Sequence, residues 1–291
     1  MIKVGKIIKG IGGFYYVKTD MGVIECRARG KFRKDSLMPY VGDDVSINID
    51  NENGYVMDIF PRKNYFIRPP ISNVDKLVLV AAVDNPKPDL MYIDKMTVTA
   101  SVLNVEIAIC FNKSDLNPEA TSDYVKIYSK AGYNTFVTST KDGTGIDGLR
   151  EYMRDSVTAL CGFSGVGKSS LINSVTNRNL FQVGEISLKL NRGKHTTRHV
   201  ELVEYDKNSY FADTPGFSML NLPDEVNHQE LIKYFPDLMD YSYECKFSDC
   251  SHTGGKFCSV YNAMLCGDVS NSRYNNYVDL YNTLKDNKEW K

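Results

Sequence analysis

The most informative chemistry in this 291-residue sequence lies at Gly162-Phe163-Ser164-Gly165-Val166-Gly167-Lys168-Ser169. Glycine, four residues, glycine, lysine and serine is the spacing of a phosphate-cradling loop. Its glycines let the backbone wrap so that successive N–H groups face one phosphate. The Lys168 amine can reach β- and γ-phosphates, and the Ser169 hydroxyl can ligate Mg²⁺. A glycine-rich surface loop would carry similar letters, so the flanks decide. The apolar run 157–161 reads as a buried strand, and the run from Ser170 to residue 175 as a helix whose N-terminus faces the phosphates.

A second constellation, Asn112-Lys113-Ser114-Asp115, follows the apolar run 105–111. The Asp115 carboxylate can accept from N1–H and N2–H₂ of guanine, donors that adenine cannot offer together. The Lys113 stem can lie over the purine, and Asn112 can brace neighbouring loops. Ser139-Thr140-Lys141 ends the next strand in the position of a Ser-Ala-Lys motif, whose backbone meets guanine O6; Thr140 departs from the usual alanine.

The γ-phosphate side is expected to come from two further stretches. The polar run 184–199 contains Gly193-Lys194-His195-Thr196-Thr197-Arg198, which suits a segment ordered by the γ-phosphate and Mg²⁺. Thr197, or less favourably Thr196, would ligate the ion. Asp213-Thr214-Pro215-Gly216 ends a strand at 210–212; Asp213 would hold Mg²⁺ through water and the Gly216 N–H would sense the γ-phosphate. Many GTPases place a water-orienting glutamine after that glycine, but Phe217 stands here. Either His195 or a group supplied by a partner must position the water.

Cys245, Cys250, His252 and Cys258 have four, one and five residues between them. Three thiolates and an imidazole make a closed tetrahedral Zn²⁺ site, structural rather than catalytic. Cys266 is an alternative ligand, and a Cys245–Cys250 disulfide the competing use of the thiols. Cys26, Cys110 and Cys161 read as buried thiols.

These motifs need scaffolds. Residues 1–64 read as short strands punctuated by Gly, Asn and Asp, the pattern of a small all-β barrel. The first 34 residues hold nine Lys or Arg against Asp20 and Glu25, although the whole chain carries a net charge of −1. Arg27, Arg29, Lys31, Arg33 and Lys34, with Phe14, Tyr15 and Tyr16 nearby, suit an RNA surface, with cations for phosphate and rings for bases. A solvated barrel face explains the same charges. From about residue 65, strands at 77–83, 105–111 and 134–138 alternate with helices at 88–103, 117–132 and 146–153, which predicts a mainly parallel, doubly covered sheet. A last helix at 272–284 puts Tyr274, Tyr277, Tyr281 and Leu284 on one face.

The longest clean apolar run, 77–83, is far too short to span a membrane, and lysines at 3, 6 and 9 interrupt any signal-peptide core. The expected compartment is the cytoplasm, where seven cysteines stay reduced or metal-bound.

In chain order the base-reading motifs precede the phosphate loop and the two switches, a cyclic shift of the usual order. With Tyr234-Phe235-Pro236-Asp237-Leu238, Gly193-Lys194-His195-Thr196-Thr197 and the Cys/His spacing, the whole chain resembles the circularly permuted GTPases that depend on the small ribosomal subunit, the RsgA type. The resemblance implies an α/β fold: an OB-type barrel at 1–64, a circularly permuted P-loop GTPase domain at 65–220 and a mainly helical zinc domain at 221–291. It implies a monomer that binds GTP with Mg²⁺, carries one Zn²⁺, contacts rRNA from both flanking domains and acts late in maturation of the small (30S) subunit. The alternative is a zinc-handling GTPase metallochaperone.

Overall fold

The computed structural model describes residues 1–28, 32, 38–50, 53–67, 69–180, 200–213 and 221–289. In chain order these form strands β1 (Ile2–Ile11), β2 (Phe14–Thr19), β3 (Gly22–Ala28), β4 (Asp44–Asp50), β5 (Asn53–Ile59), β6 (Tyr65–Phe66), β7 (Ile71–Ser72) and β8 (Lys76–Ala82). There follow helix α1 (Leu90–Val102), β9 (Glu106–Asn112), α2 (Pro118–Lys130), β10 (Asn134–Thr138), α3 (Ile146–Tyr152), β11 (Val157–Cys161) and α4 (Lys168–Thr176). The chain ends with β12 (Glu201–Asp206), β13 (Ser209–Asp213), α5 (Pro236–Ser242), α6 (Ser259–Cys266) and α7 (Asn271–Glu289). Two compact units result: residues 1–78 with 146–219, and residues 79–145 with 220–291.

In the first unit β1 pairs with β2 and β4, β2 with β3, and β4 with β5, all antiparallel. The parallel pair β3–β5 closes the ring, the strand order of an OB barrel. Alternation drives the closure: Ile7, Val17, Cys26, Val45, Ile47 and Val56 are inward and buried. Gly54 is required at the seam, because a Cβ there would lie 2.4 Å from Cys26 Sγ. The segment after the barrel is tightly pinned. Buried Asp43 accepts from Arg62 Nε (2.7 Å) and Nη2 (2.8 Å) and from Ser72 Oγ (2.6 Å).

The other part of this unit places β13 between β11, parallel, and β12, antiparallel. β12 is a strand that its sequence hides. Only Leu202 and Tyr205 of it are buried, while Glu201 and Glu204 reach Lys9 and Lys18 of the barrel. A strand that pairs charges across its edge lacks the apolar run by which buried strands are recognised.

In the second unit β10 lies parallel to β9. Asp89 caps α1 by accepting from Tyr92 N at 3.0 Å, and Asn117 caps α2 by accepting from Ala120 N at 3.0 Å, with Pro118 in the first turn. α1 buries apolar Ile93, Met96 and Ala100, but Asp94, Thr97 and Thr99 are buried too. The reason is a second layer: Val98 belongs to a core with Val226, Leu231, Phe235, Leu238, Val260, Tyr274, Tyr277 and Leu280. The α/β class, the barrel order and the helical C-terminal region agree with the sequence expectations. No helix among the described residues is long and apolar enough to cross a membrane.

Candidate functional site

Strand β11 is wholly buried and delivers the chain into the glycine loop. Gly162, Gly165 and Gly167 have φ of 138°, 81° and 95°, a region that only glycine enters without strain. Gly167 then caps α4, whose first N–H groups have no partner within the helix and make an anion site. Lys168 Nζ lies back over the loop, donating to the carbonyls of Gly162 and Phe163, both at 2.7 Å. Val166 anchors the loop in the core, Ser169 is almost fully buried in the first turn of the helix, and Ser164 is exposed. Ser170 follows in the first helical turn.

The base motif sits where β9 ends. Asn112 is buried, and its Oδ1 accepts from Thr138 Oγ1 on β10 at 3.1 Å, so it ties the two strands together. Lys113 adopts φ 60° and donates to Asn85 O at 2.5 Å. Ser114 opens a single 3₁₀ turn that contains Asp115. Asp115 Oδ1 accepts from Ser139 Oγ at 2.9 Å, and its Oδ2 lies 3.6 Å from Lys141 Nζ. Ser139 Oγ also accepts from Lys141 N at 3.3 Å. Gly145 lets this loop close: at φ 70°, a Cβ there would stand 1.9 Å from Val137 O. The carboxylate is therefore oriented by a hydroxyl and a cation from the Ser139-Thr140-Lys141 loop. Ser139 contributes its side chain here, whereas its motif points only to a backbone role.

In the C-terminal region one ligand atom from each of Cys245, Cys250, His252 and Cys258 lies within 4.8 Å of the others. Cys245 Sγ is 3.4 Å and Cys258 Sγ 3.9 Å from His252 Nδ1. Tetrahedral zinc, with bonds of about 2.0–2.3 Å, fits that span and that donor set. Backbone donors already point at two sulfurs: Ser259 N at Cys245 Sγ (3.3 Å) and Tyr261 N at Cys258 Sγ (3.4 Å). These are bonds a thiolate accepts well. Burial, reinforced by Cys250 and Cys245, pushes the Cys258 thiol up to about 12, so a cation is what would make the cluster ionise. His252 has φ 58°, a left-handed conformation costing about 1–3 kcal/mol that surroundings must impose. Tyr277 Oη holds this loop through Ser251 O at 3.0 Å. Cys266 is exposed and outside the cluster.

On the barrel, the Arg27 guanidinium lies 4.8 Å from the Phe14 ring centre, its cross-strand partner. Arg29, Lys31, Arg33, Lys34, His195, Thr197 and Gly216 lie outside the described residues. Asp213 closes β13, and its side chain also lies outside the description. One constellation escapes sequence reading altogether. Arg273 on α7, fully buried, bonds Asp237 with Nε (2.8 Å) and Nη2 (2.6 Å) and Asp94 with Nη1 (2.6 Å). The three residues are too far apart in sequence for spacing to announce them.

Comparison with known proteins agrees with this geometry. The family model described as RsgA GTPase matches residues 59–223, and that described as the RsgA N-terminal domain matches residues 4–56. The small ribosomal subunit biogenesis GTPase RsgA of Caldanaerobacter subterraneus subsp. tengcongensis is 40% identical over 287 residues, covering 98% of this chain and 97% of its own. The protein of the same name from Alkaliphilus metalliredigens is 42% identical over 290 residues, covering 98% and 99%. Among solved structures, YjeQ from Thermotoga maritima aligns with a TM-score of 0.81 at 33% identity over 98% of this chain and 99% of that one. YloQ, described as a circularly permuted GTPase, aligns at 0.79 and 34% identity over 99% and 96%. With a phosphate loop that follows its base-reading motif, an OB barrel before both and a Cys₃His cluster after them, this chain belongs to the RsgA GTPase family.

Proposed function

We propose that the protein is a cytoplasmic, monomeric GTP hydrolase that acts on the small ribosomal subunit late in its maturation. Its intrinsic rate is low, the subunit stimulates it, and hydrolysis times release from the particle. The observation that carries this reading is near-full-length similarity, at 40–42% identity, to proteins named small ribosomal subunit biogenesis GTPases. The local geometry supports the chemistry. The N–H groups of residues 162–170 and Lys168 cradle the phosphates, and Asp115, with Asn112, Lys113, Ser114 and Ser139, reads guanine. Ser169 and Thr197 would hold Mg²⁺ directly and Asp213 through water, and the ion would supply charge neutralisation to the phosphates. Gly216 meets the γ-phosphate, and His195, or a group of the particle, orients the water that Phe217 cannot. Arg27, Arg29, Lys31, Arg33 and Lys34 bind rRNA phosphates.

The metallochaperone reading has less support. A metal held by four side chains, with backbone N–H groups on the sulfurs and a packed core beneath, is built to stay. The deciding measurement is GTP turnover with and without purified small subunits, together with co-sedimentation. Turnover that the subunit leaves unchanged, with no co-sedimentation, would reject the proposal.

A further inference from the structure

We propose that Lys9 and Glu201 are positioning residues through which the barrel acts on the hydrolytic site. The inference rests on the subunit-stimulated hydrolysis proposed above and names its route within the first unit.

β1 has three partners, β2, β4 and β12. Its first half, Ile2 to Lys6, pairs with β4 and closes the barrel. A register shift between Ile7 and Lys9 then bends the strand, as an extra residue in a ladder does. Past that bend Lys9 pairs with Glu201 of β12. Glu201 in turn pairs with Asp213 of β13. Lys9, Glu201 and Asp213 therefore form one row across three strands, from the barrel to the residue at which the Asp-x-x-Gly motif begins. The backbone row carries an ion pair, with Lys9 Nζ 3.0 Å from Glu201 Oε2. Farther along β12, Glu204 pairs with Lys18 of β2 and also accepts from Tyr210 Oη on β13 at 3.3 Å.

The other end of the same hairpin carries the residues proposed above to meet rRNA. From Lys9↔Tyr16 the register runs through Gly10↔Tyr15 to Ile11↔Phe14, and Phe14 carries Arg27 on its ring. Two paired strands form a stiff arm only a few residues long. A load applied at the Phe14 end is delivered at Lys9, where the arm meets β12. The Lys9–Glu201 pair is partly exposed, with side-chain exposures of 33% and 45%. Such pairs add little to stability. Its position, at the one registered contact between β1 and β12, is what gives it a use.

The test is a charge-exchange cycle: Lys9→Ala, Glu201→Ala, and the double exchange Lys9→Glu with Glu201→Lys. Three quantities are read for each: turnover alone, turnover at saturating small subunit, and subunit affinity by co-sedimentation. Each single variant should lose about tenfold of the stimulated rate, while unstimulated turnover and subunit affinity stay within about twofold of wild type. The exchanged pair should regain most of the stimulation. Wild-type stimulation in both single variants would overturn the inference and leave the proposed function standing. Loss of subunit binding in both would also overturn it, since the pair would then belong to the docking surface. If the wild type itself is not stimulated, the functional proposal fails and the inference falls with it.

Discussion

Ser139 Oγ donates a 2.9 Å hydrogen bond to Asp115 Oδ1, so the loop after β10 orients the carboxylate at the end of β9. In the proposed reading, guanine would present two donors to that carboxylate. Asp115→Asn replaces an acceptor with a donor and leaves a guanine N–H unpaired, a cost of about 1–3 kcal/mol. GTP affinity should fall by about tenfold or more. Xanthosine triphosphate, which has a carbonyl where guanine has its amino group, should gain. Ser139→Ala removes only the orienting bond, worth about 0.5–1.5 kcal/mol. It should raise the GTP dissociation constant with little change in kcat. Equal binding of GTP and XTP by wild type and Asp115→Asn would show that the base lies elsewhere.

The metal cluster should behave as a structural part of its unit. Cys250→Ser removes one of four ligands and should loosen zinc until mild chelation strips it, because water replaces a thiolate in the fourth position. Metal binding energy is folding energy in such small regions. The core around Leu231, Phe235 and Tyr277 should then become protease-sensitive, while the glycine loop, built on β11 and α4, still binds GTP. A variant that keeps one zinc per chain through mild chelation and resists proteolysis as the wild type does would refute a structural role.

What the sequence makes legible here follows from how local each feature is. The glycine loop, Asn112 to Asp115 and the Cys/His cluster are short runs whose chemistry depends on neighbours in the chain, so spacing reveals them. Strand β12 does not reveal itself, because its outward glutamates find Lys9 and Lys18 almost two hundred residues away in sequence. The buried Arg273 is hidden for the same reason. An arginine between serine and tyrosine on a polar helix reads as a solvated face until Asp94 and Asp237 arrive from other elements. Long-range charge pairing leaves no periodic signature.

Phe217 offers no hydrogen-bonding atom where many GTPases carry glutamine, so another group must orient the water. His195→Ala should lower subunit-stimulated turnover by about 10²-fold or more, the usual scale of a positioned acid–base group. GTP affinity and co-sedimentation should be unchanged. Stimulated turnover near the wild-type value would assign that role to the ribosomal particle instead.

The basic run of the barrel makes a salt-dependent prediction. If Arg27, Arg29, Lys31, Arg33 and Lys34 each neutralise one rRNA phosphate, each loss should lower the slope of log affinity against log salt by about one. Arg27→Ala has a second consequence, because it also uncovers the Phe14 ring. The freed ring face can stack on a base, so the affinity lost by this variant should shrink at high salt, where phosphate contacts matter least. A salt slope unchanged by neutralising all five would leave them as a solvated face.

Arg273 and Asp94 make the pH prediction. One guanidinium serves two carboxylates, buried Asp94 and partly buried Asp237, and two of its three nitrogens already face Asp237. Asp94 keeps one arginine bond and a 2.7 Å bond from Asn276 Nδ2. Burial outweighs both, and its carboxyl is pushed from 3.8 up to about 6. Tyr128 and Tyr133 around it are raised by burial as well and stay neutral. Because the folded value is the higher one, the folded chain binds more protons between those limits. Stability therefore falls as pH rises through that window, and the penalty is complete above about 6. Taken as the difference between wild type and Asp94→Asn, in which the loss of zinc on acidification cancels, this group should contribute on the order of 2 kcal/mol between neutral pH and the lower end of that window. Asp94→Asn cannot titrate and should be flatter over the same range, with Asn276 reversing its amide to accept from the new side chain. Arg273→Met should instead cost about 3–5 kcal/mol at pH 7, because it strands both carboxylates, and should recover part of that loss on acidification. Identical pH slopes for wild type and Asp94→Asn, measured by denaturant unfolding, would show that Asp94 keeps an ordinary carboxylate value despite its burial.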